Sequence, residues 1–318
     1  MLFRSTVEAD LDRFLPLVTV DPASGMTPEK YRENLADRQY RPERTWIAED
    51  GAGTVLALAV WWGGSDEERP AALDGLFVHP SLGTGEERTD LAARLLGAAH
   101  TAFAATGPNA PPEYHVFLPG DWHERPEAVA ALTWRREAAR RAGLPAELER
   151  LRYAWTPQDA RPEPARLLAF EPEPDDGVFV GLFHRTLAGS LDSHSLKEAA
   201  ELGAEAQARA DVEFYRTFMR GERSWWRVAR DADGEVVGFG LPSRNHAFPV
   251  IGYLGVLPEY RGRGYVGEIL GEITRILLAE AAPEEIRADT DLGNVPMAAA
   301  FERAGYRNFA RRLVFSAT

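Results

Sequence analysis

The stretch 256–270, VLPEYRGRGYVGEIL, decides the predicted fold of the second half of this chain. The apolar run 250–257 ends at Pro258, and a loop rich in arginine and glycine follows at once. Apolar side chains then recur at the i, i+3, i+4, i+7 spacing of an amphipathic helix. They are Val266, Ile269, Leu270, Ile273, Ile276 and Leu277. The predicted order is therefore a strand, a tight loop and a helix.

The loop has the chemistry of an anion-binding site. Gly262 and Gly264 allow its backbone to fold close to a ligand, and the first N–H groups of the following helix have no partner within that helix. Arg261 and Arg263 add fixed positive charge beside them. The sequence predicts that this loop binds a phosphate group.

Length, charge and cysteine content limit the function. A chain of 318 residues suits two domains of about 150 residues each. With 36 Lys and Arg against 49 Asp and Glu, its net charge of −13 argues against binding nucleic acid or a membrane surface. The acidity suits a cationic small-molecule substrate, and it also serves solubility alone. The chain has no cysteine, which excludes disulfides, thiolate metal sites and a cysteine nucleophile.

Targeting signals are not evident in the sequence. The N-terminal residues lack the apolar core of a signal peptide, and no window approaches about 18 consecutive apolar residues. We therefore expect a soluble, cytoplasmic protein, either a monomer or a homodimer.

Hydrophobic periodicity predicts alternating strands and helices along the chain. In the first half, the predicted strands are 2–7, 45–48, 54–62, 73–78, 114–118 and 151–155, and the predicted helices are 9–17, 27–38, 89–99 and 128–142. A proline-rich linker, 156–176, follows and contains one short strand at 167–170. In the second half, the further predicted strands are 224–229, 235–241, 286–290 and 311–315, and the further predicted helices are 177–218 and 295–304.

The two halves share short sequences in the same order and at similar spacing. Arg44-Thr45-Trp46 matches Arg223-Ser224-Trp225, Val78-His79-Pro80 matches Val256-Leu257-Pro258, and Ala142-Gly143-Leu144 matches Ala304-Gly305-Tyr306. Such matches indicate a duplicated α/β unit. The copies are unequal, because the loop of the second copy stands opposite Gly83-Thr84-Gly85-Glu86 in the first. Carboxylates at a helix N-terminus repel a phosphate, so we expect one functional site, in the second half.

This duplicated unit resembles the GCN5-related N-acetyltransferase (GNAT) superfamily. The resemblance rests on the Val-x-Pro and Arg-Gly-Arg-Gly sequences, and on a later helix with Asn294, Phe301 and a Gly-Tyr pair at its end. It implies an α/β fold of two tandem GNAT-like domains, each a mixed, mostly antiparallel sheet flanked by helices. The implied domains are a degenerate copy at 1–158, a linker with the first strand of the next domain at 159–176, and an acetyl-CoA-binding domain at 177–318.

The resemblance also implies which residues hold the cosubstrate, acetyl-CoA. Loop amides would bind the pyrophosphate, the preceding strand would bind the pantetheine arm, and the Asn and aromatic positions would line the thioester end. Val266 departs from the family pattern, which usually has a small residue there, and Gly267 lies next to it. The full set is Leu254, Val256, Arg261, Gly262, Arg263, Gly264, Tyr265, Val266, Gly267, Asn294 and Phe301.

Catalytic residues are less evident. Phe301 stands where the family often has a tyrosine acid, and the early strand, 248–252, lacks the carboxylate that is often found there. The remaining candidates are Asp289, Asp291, His246 and Tyr253. Asp291 is equally suited to a turn or cap, His246 suits a solvated loop, and Tyr253 is either a wall residue or the missing acid.

These observations favour an N-acetyltransferase that moves acetyl from acetyl-CoA to an amine of a small molecule, by direct attack in a ternary complex. We expect no metal, because no ligands stand at metal-binding spacing. The alternative is a CoA-binding sensor or interaction module without acetyl transfer, which the phenylalanine at 301 and the absent strand carboxylate would explain.

Overall fold

The computed structural model describes residues 1–107, 110–159 and 161–318, so Ala160 of the predicted linker lies outside the described residues. The chain forms two compact units. Unit 1 comprises Met1–Glu149 and Ala310–Thr318, and unit 2 comprises Arg150–Phe309. No helix within the described ranges is long and apolar enough to cross a membrane.

Strands and helices alternate in the order that the sequence predicts. The strands are β1 (Leu2–Ser5), β2 (Thr45–Glu49), β3 (Val55–Trp62), β4 (Ala72–Val78), β5 (Glu113–Pro119), β6 (Ala146–Trp155), β7 (Ala169–Pro172), β8 (Arg227–Arg230), β9 (Val236–Arg244), β10 (Pro249–Val256), β11 (Ile286–Asp291) and β12 (Arg307–Ser316). The helices are α1 (Leu11–Phe14), α2 (Pro28–Ala36), α3 (Glu86–Ala104), α4 (Pro126–Arg141), α5 (Asp176–Thr186), α6 (Ser193–Leu202), α7 (Ala204–Thr217), α8 (Tyr265–Ala281) and α9 (Val295–Arg303).

The two units have the same strand order. In unit 1 the order is β1-β2-β3-β4-β5-β12, and in unit 2 it is β7-β8-β9-β10-β11-β6. The pairs β4–β5 and β10–β11 run parallel, and the other pairs run antiparallel. Each unit is thus a mixed, mostly antiparallel sheet flanked by helices, as the sequence predicts.

The last strand of each unit comes from the other half of the chain. In unit 2, β11 pairs with β6 in the register Ile286↔Trp155, and in unit 1, β5 pairs with β12 in the register Phe315↔Tyr114. The predicted boundaries at 1–158 and 177–318 follow the order of elements along the chain. The compact units differ from them at these two strands, because each strand pairs with a strand from the other half of the chain.

The predicted helix 177–218 is wrong, because three helices occupy this segment. A loop at 187–192 separates α5 from α6, with Gly189 at φ +64°. Gly203, at φ +89°, separates α6 from α7, a backbone conformation that favours glycine. The predicted helix 9–17 is confirmed as helical, but only Leu11–Phe14 is α-helix and a short 3₁₀ helix lies on each side of it. Pro16 limits the length of α1.

The core of unit 2 forms where α8 packs on the sheet. Ile269, Leu270 and Ile273 are buried in this core, as the predicted apolar stripe requires. Gly238 and Gly240 on β9 allow this close approach. A Cβ atom at Gly238 would lie 2.8 Å from the Ile269 side chain and would overlap the Gly255 carbonyl oxygen. The glycines therefore fix the distance between α8 and the strands that carry the loop.

We expect Gly238→Ala to lower the free energy of unfolding by about 2 kcal/mol, because the added methyl group overpacks the interface between β9 and α8. Gly181→Ala is the matched control. This residue lies exposed in α5, and no described atom comes within 4 Å of an added Cβ, so stability should rise by about 0.5–1 kcal/mol. Urea unfolding followed by tryptophan fluorescence measures both, and equal effects would contradict this account of the packing.

Candidate active site

The site begins where two parallel strands separate. β10 and β11 pair at Val250↔Arg287, and β10 then bulges at Gly252, where its register with β9 shifts. The bulge is tightly enclosed, because a Cβ at Gly252 would lie 2.5 Å from the Ser243 hydroxyl oxygen. On the other side, the Tyr215 hydroxyl donates to the Gly252 carbonyl oxygen at 2.7 Å. A cleft of about 800 Å³ opens beyond the bulge, with β10 and β11 on its two sides.

The glycine loop forms one end of the cleft. Gly262 and Gly264 have φ values of +78° and +83°, and Gly264 immediately precedes α8. No described atom lies within 4 Å of a Cβ added at Gly262, Gly264 or Gly267, so the space in front of the loop is open. No side chain in the described ranges caps the start of α8. The loop and the N–H groups of the first helical turn therefore fit an anion.

The two loop arginines have different surroundings. Arg261 donates to three main-chain oxygens at the end of α5, those of Thr186 (2.8 Å), Ala188 (2.7 Å) and Gly189 (2.9 Å). Arg263 donates to the Glu259 carbonyl oxygen at 3.2 Å and lies over the Tyr260 ring. The prediction that both arginines add charge for a phosphate thus describes Arg263 better than Arg261.

Acidic side chains line the other end of the cleft. Asp192 and Glu198 come from the start of α6 and from α6 itself, and Asp211 comes from α7. Burial, together with the charges of Glu198 and Asp192, raises the pKa of the Asp211 carboxyl to about 6, although the interaction with the Gln207 side chain and the charge of His194 lower it. This end of the cleft is suited to a cation and holds a carboxyl group that changes charge near neutral pH.

The sequence of unit 2 matches a known family. The pattern of the Acetyltransferase (GNAT) family matches residues 191–306, which include the loop, the cleft strands and α6 to α9. Residues 191–306 are therefore a GNAT domain. Acyl transfer is the general chemistry that this membership supports, and GNAT proteins use acetyl-CoA as cosubstrate.

Solved structures resemble the whole chain in fold. A GCN5-related N-acetyltransferase from Sphaerobacter thermophilus is similar over 99% of this chain and 94% of its own, with a TM-score of 0.57 and 17% identity. A tandem GNAT protein from the clavulanic acid biosynthesis pathway is similar over 100% of this chain and 98% of its own, with a TM-score of 0.50 and 15% identity. At these identities the likeness shows the tandem GNAT fold alone. Comparison with curated proteins gives no significant match.

Most residues with a predicted cosubstrate role line the cleft of the GNAT domain. They are Leu254, Val256, Arg261, Gly262, Gly264, Tyr265, Val266, Asn294 and Phe301. Gly267 and Arg263 belong to the same loop and helix but do not line the cleft. Asn294 caps α9, and its side-chain oxygen accepts from the Met297 N–H at 3.4 Å. The Phe301 ring is buried and stacks on Tyr153, with 5.0 Å between the ring centres.

The four predicted catalytic residues do not lie together. Asp289 and Tyr253 line the cleft, and burial raises the pKa of Tyr253 to about 12. Asp291 is buried outside the cleft lining, and one of its carboxylate oxygens accepts from the Ser193 N–H at 2.7 Å. His246 is exposed, and its Nδ1 lies 3.0 Å from the Arg220 guanidinium. The geometry thus gives Asp291 a structural contact and leaves His246 away from the cleft.

Sequence reasoning missed Asp192, Glu198 and Asp211. These carboxylates fall within the segment 177–218, which the sequence analysis predicts as one long helix. A signal was present in the spacing, because Gln207, Asp211 and Tyr215 follow one another at i, i+4 and therefore share a helix face. Among the described residues, no group of three or more His, Asp and Glu side chains is arranged to hold a metal ion.

The equivalent loop in unit 1 has different chemistry. Gly83 has a φ value of +61°, and Glu86 and Glu87 occupy the first turn of α3. Glu86 forms an ion pair with Arg141 at 2.5 Å. The negative charge at this helix start fits the hypothesis that the first copy has lost anion binding, which stays a prediction.

We expect Asp291→Asn to lower the free energy of unfolding by about 3 kcal/mol. The substitution leaves the Arg150 guanidinium, 3.1 Å from the Asp291 carboxylate, without its buried counter-charge. Asp289→Asn is the matched control on the same strand. It should cost less than about 1 kcal/mol, because that side chain is half-exposed and lies 3.6 Å from Arg152. Chemical denaturation measures both, and the reverse order would contradict the structural role of Asp291.

Proposed function

We propose that the GNAT domain transfers the acetyl group of acetyl-CoA to an amine of a small cationic molecule, by direct attack in a ternary complex. One observation carries the proposal. A single cleft joins the glycine loop at one end to Asp192, Glu198 and Asp211 at the other. An anionic cosubstrate and a cationic acceptor would therefore bind at opposite ends of one continuous space, with their reactive groups between them.

The residues at the loop end fit acetyl-CoA. The amides of 262–266 and the start of α8 would hold the pyrophosphate, and the open space at Gly262 and Gly264 admits its close approach. Beyond the bulge, the edge of β10 that faces away from β9 offers the pantetheine arm the main-chain groups of Leu254 and the N–H group of Val256, whose carbonyl oxygen accepts from Arg261. When bound, acetyl-CoA supplies an activated thioester.

The residues at the acidic end would bind the acceptor and take its proton. The carboxylates of Asp192 and Glu198 attract an ammonium group, but the nitrogen must be neutral when it attacks. Asp211 accepts the proton that the ammonium loses before attack, and the second nitrogen proton passes to solvent as the new C–N bond forms and the C–S bond breaks. Tyr253 keeps its proton at neutral pH, because burial raises its pKa to about 12, and its hydroxyl can donate to the departing sulfur. Asp289 is the second candidate for the base, since it also lines the cleft.

We expect CoA thiol to be released from acetyl-CoA in the presence of at least one amine from a panel of tyramine, spermidine and glucosamine.

Gly264→Glu should raise the Kd for acetyl-CoA in calorimetry at least about 100-fold, because it places a side chain and a negative charge at the open N-terminus of α8. Glu86→Gly, the equivalent change in unit 1, should leave that Kd within about twofold. Equal loss in both variants would contradict a single site. Tight binding without thiol release across a wide amine panel would favour the sensor function.

We expect kcat/KM for the amine to fall about tenfold per pH unit below about pH 6, because Asp211 must be deprotonated to act as base. Asp211→Asn should lower kcat by about 10²–10³ and abolish this dependence.

The raised pKa of Asp211 means that the folded state binds the proton more tightly than the unfolded chain. The native protein should therefore lose stability as pH rises through about 6, and Asp211→Asn should be the more stable of the two at pH 7.5. If the pH dependence of kcat/KM disappears in Asp289→Asn and persists in Asp211→Asn, the base is Asp289.

A further inference from the structure

We infer that Arg261 is a positioning residue for the acceptor. From its place in the phosphate-binding loop, it holds the segment 187–192, which forms the acceptor-side wall of the cleft. The inference concerns binding and loop order directly, and its activity readout rests on the proposed acetyl transfer.

All three nitrogens of the Arg261 guanidinium donate to main-chain oxygens. It donates to the Thr186 (2.8 Å), Ala188 (2.7 Å) and Gly189 (2.9 Å) carbonyl oxygens, and its Nε donates to the Val256 carbonyl oxygen at 3.1 Å. The last carbonyl groups of a helix have no hydrogen-bond partner within the helix. A cation at this end also interacts favourably with the helix dipole. The planar fork of arginine spreads its N–H donors over three nitrogens, so it can reach oxygens that lie farther apart than those one lysine ammonium can reach.

The far end of the same segment is held by charged groups as well. The Asp291 carboxylate accepts from the Ser193 N–H at 2.7 Å, and Asp192 caps α6 by accepting from the Ser195 N–H at 2.8 Å. Arg150 lies 3.1 Å from Asp291 and 3.8 Å from Asp192. The segment 187–192 is therefore fixed at its start by Arg261 and at its end by Asp291.

Between these two points the segment has little apolar packing. Gly189 and Ser190 have small side chains, and Leu191 is 50% exposed. Ser190, Leu191 and Asp192 all line the cleft. A surface segment with few buried apolar contacts has low local stability, so its conformation depends on its polar contacts. Removing the Arg261 contacts should free the start of this wall.

Arg263 provides the matched comparison within the same loop. It makes a single hydrogen bond within the described contacts, to the Glu259 carbonyl oxygen, and it is exposed. Its guanidinium is thus available to a phosphate, whereas that of Arg261 is committed to the protein. Replacing Arg263 should therefore weaken cosubstrate binding and leave the order of the 187–192 segment unchanged. Replacing Arg261 should loosen that segment and leave cosubstrate binding nearly unchanged.

The test compares R261A, R261K and R263A by hydrogen–deuterium exchange and by calorimetry with CoA. We expect the amides of 187–192 to exchange at least about tenfold faster in R261A and to an intermediate extent in R261K, with no change in R263A. The Kd for CoA should stay within about threefold in R261A and rise about tenfold in R263A. If R261A does not fold, R261K carries the test, because it keeps the charge and loses the fork.

Two outcomes would overturn the inference. A Kd for CoA that rises tenfold or more in R261A would make Arg261 a phosphate ligand, and unchanged exchange in 187–192 would mean that Arg261 does not hold the segment. With the amine acetylated fastest in the tyramine, spermidine and glucosamine panel, R261A should raise the amine KM about tenfold at saturating acetyl-CoA. R261K should restore part of this loss. If no amine is acetylated, the proposed function fails, while exchange and CoA binding still decide the role of Arg261.

Discussion

The separation of β10 from β11 is the constraint on which the GNAT domain depends. Parallel strands that stay paired leave no space between them, and here pairing at Val250↔Arg287 gives way to a bulge at Gly252. The bulge is stabilised from both sides, by tight packing against β9 and by the hydrogen bond from the Tyr215 hydroxyl. Tyr215 belongs to α7, which also carries Asp211. Helix α7 thus both stabilises the bulge that opens the cleft and carries Asp211, whose carboxyl group has a pKa raised by burial.

Unit 1 repeats this device with different residues. Its parallel pair, β4 and β5, is registered at Leu73↔Tyr114, and β4 then bulges at Asp74. The Tyr40 hydroxyl donates to the Asp74 carboxylate at 2.9 Å, where in unit 2 a tyrosine donates to the Gly252 carbonyl oxygen. A carboxylate therefore stands at the bulge of the copy whose loop lacks the arginines. The copy that keeps the arginines has a glycine there, and its cleft carboxylates come from helices instead.

The sequence predicts those features that depend on neighbouring residues. The glycine loop, the buried stripe of α8 and the alternation of strands and helices follow from local spacing, and the structure confirms them. Features that depend on distant partners are not predictable in this way. The acidic end of the cleft exists because the helical segment is interrupted at Gly189 and Gly203, which places residues of α6 and α7 beside β10. The pairing of β6 and β12 with strands from the other half of the chain likewise leaves no local pattern.

Arg261 shows why a motif alone does not give a residue its role. A guanidinium beside a glycine loop has two possible partners, a phosphate or the carbonyl groups at a nearby helix end. Only the position of α5 decides between them, and the sequence of the loop does not determine that position. With the Arg261 donors occupied by carbonyl oxygens, an anion is left with the N–H groups at the start of α8 and with Arg263. The carboxylates at the other end then give the cleft opposite potentials at its two ends, which orients an anionic and a cationic ligand without any further device.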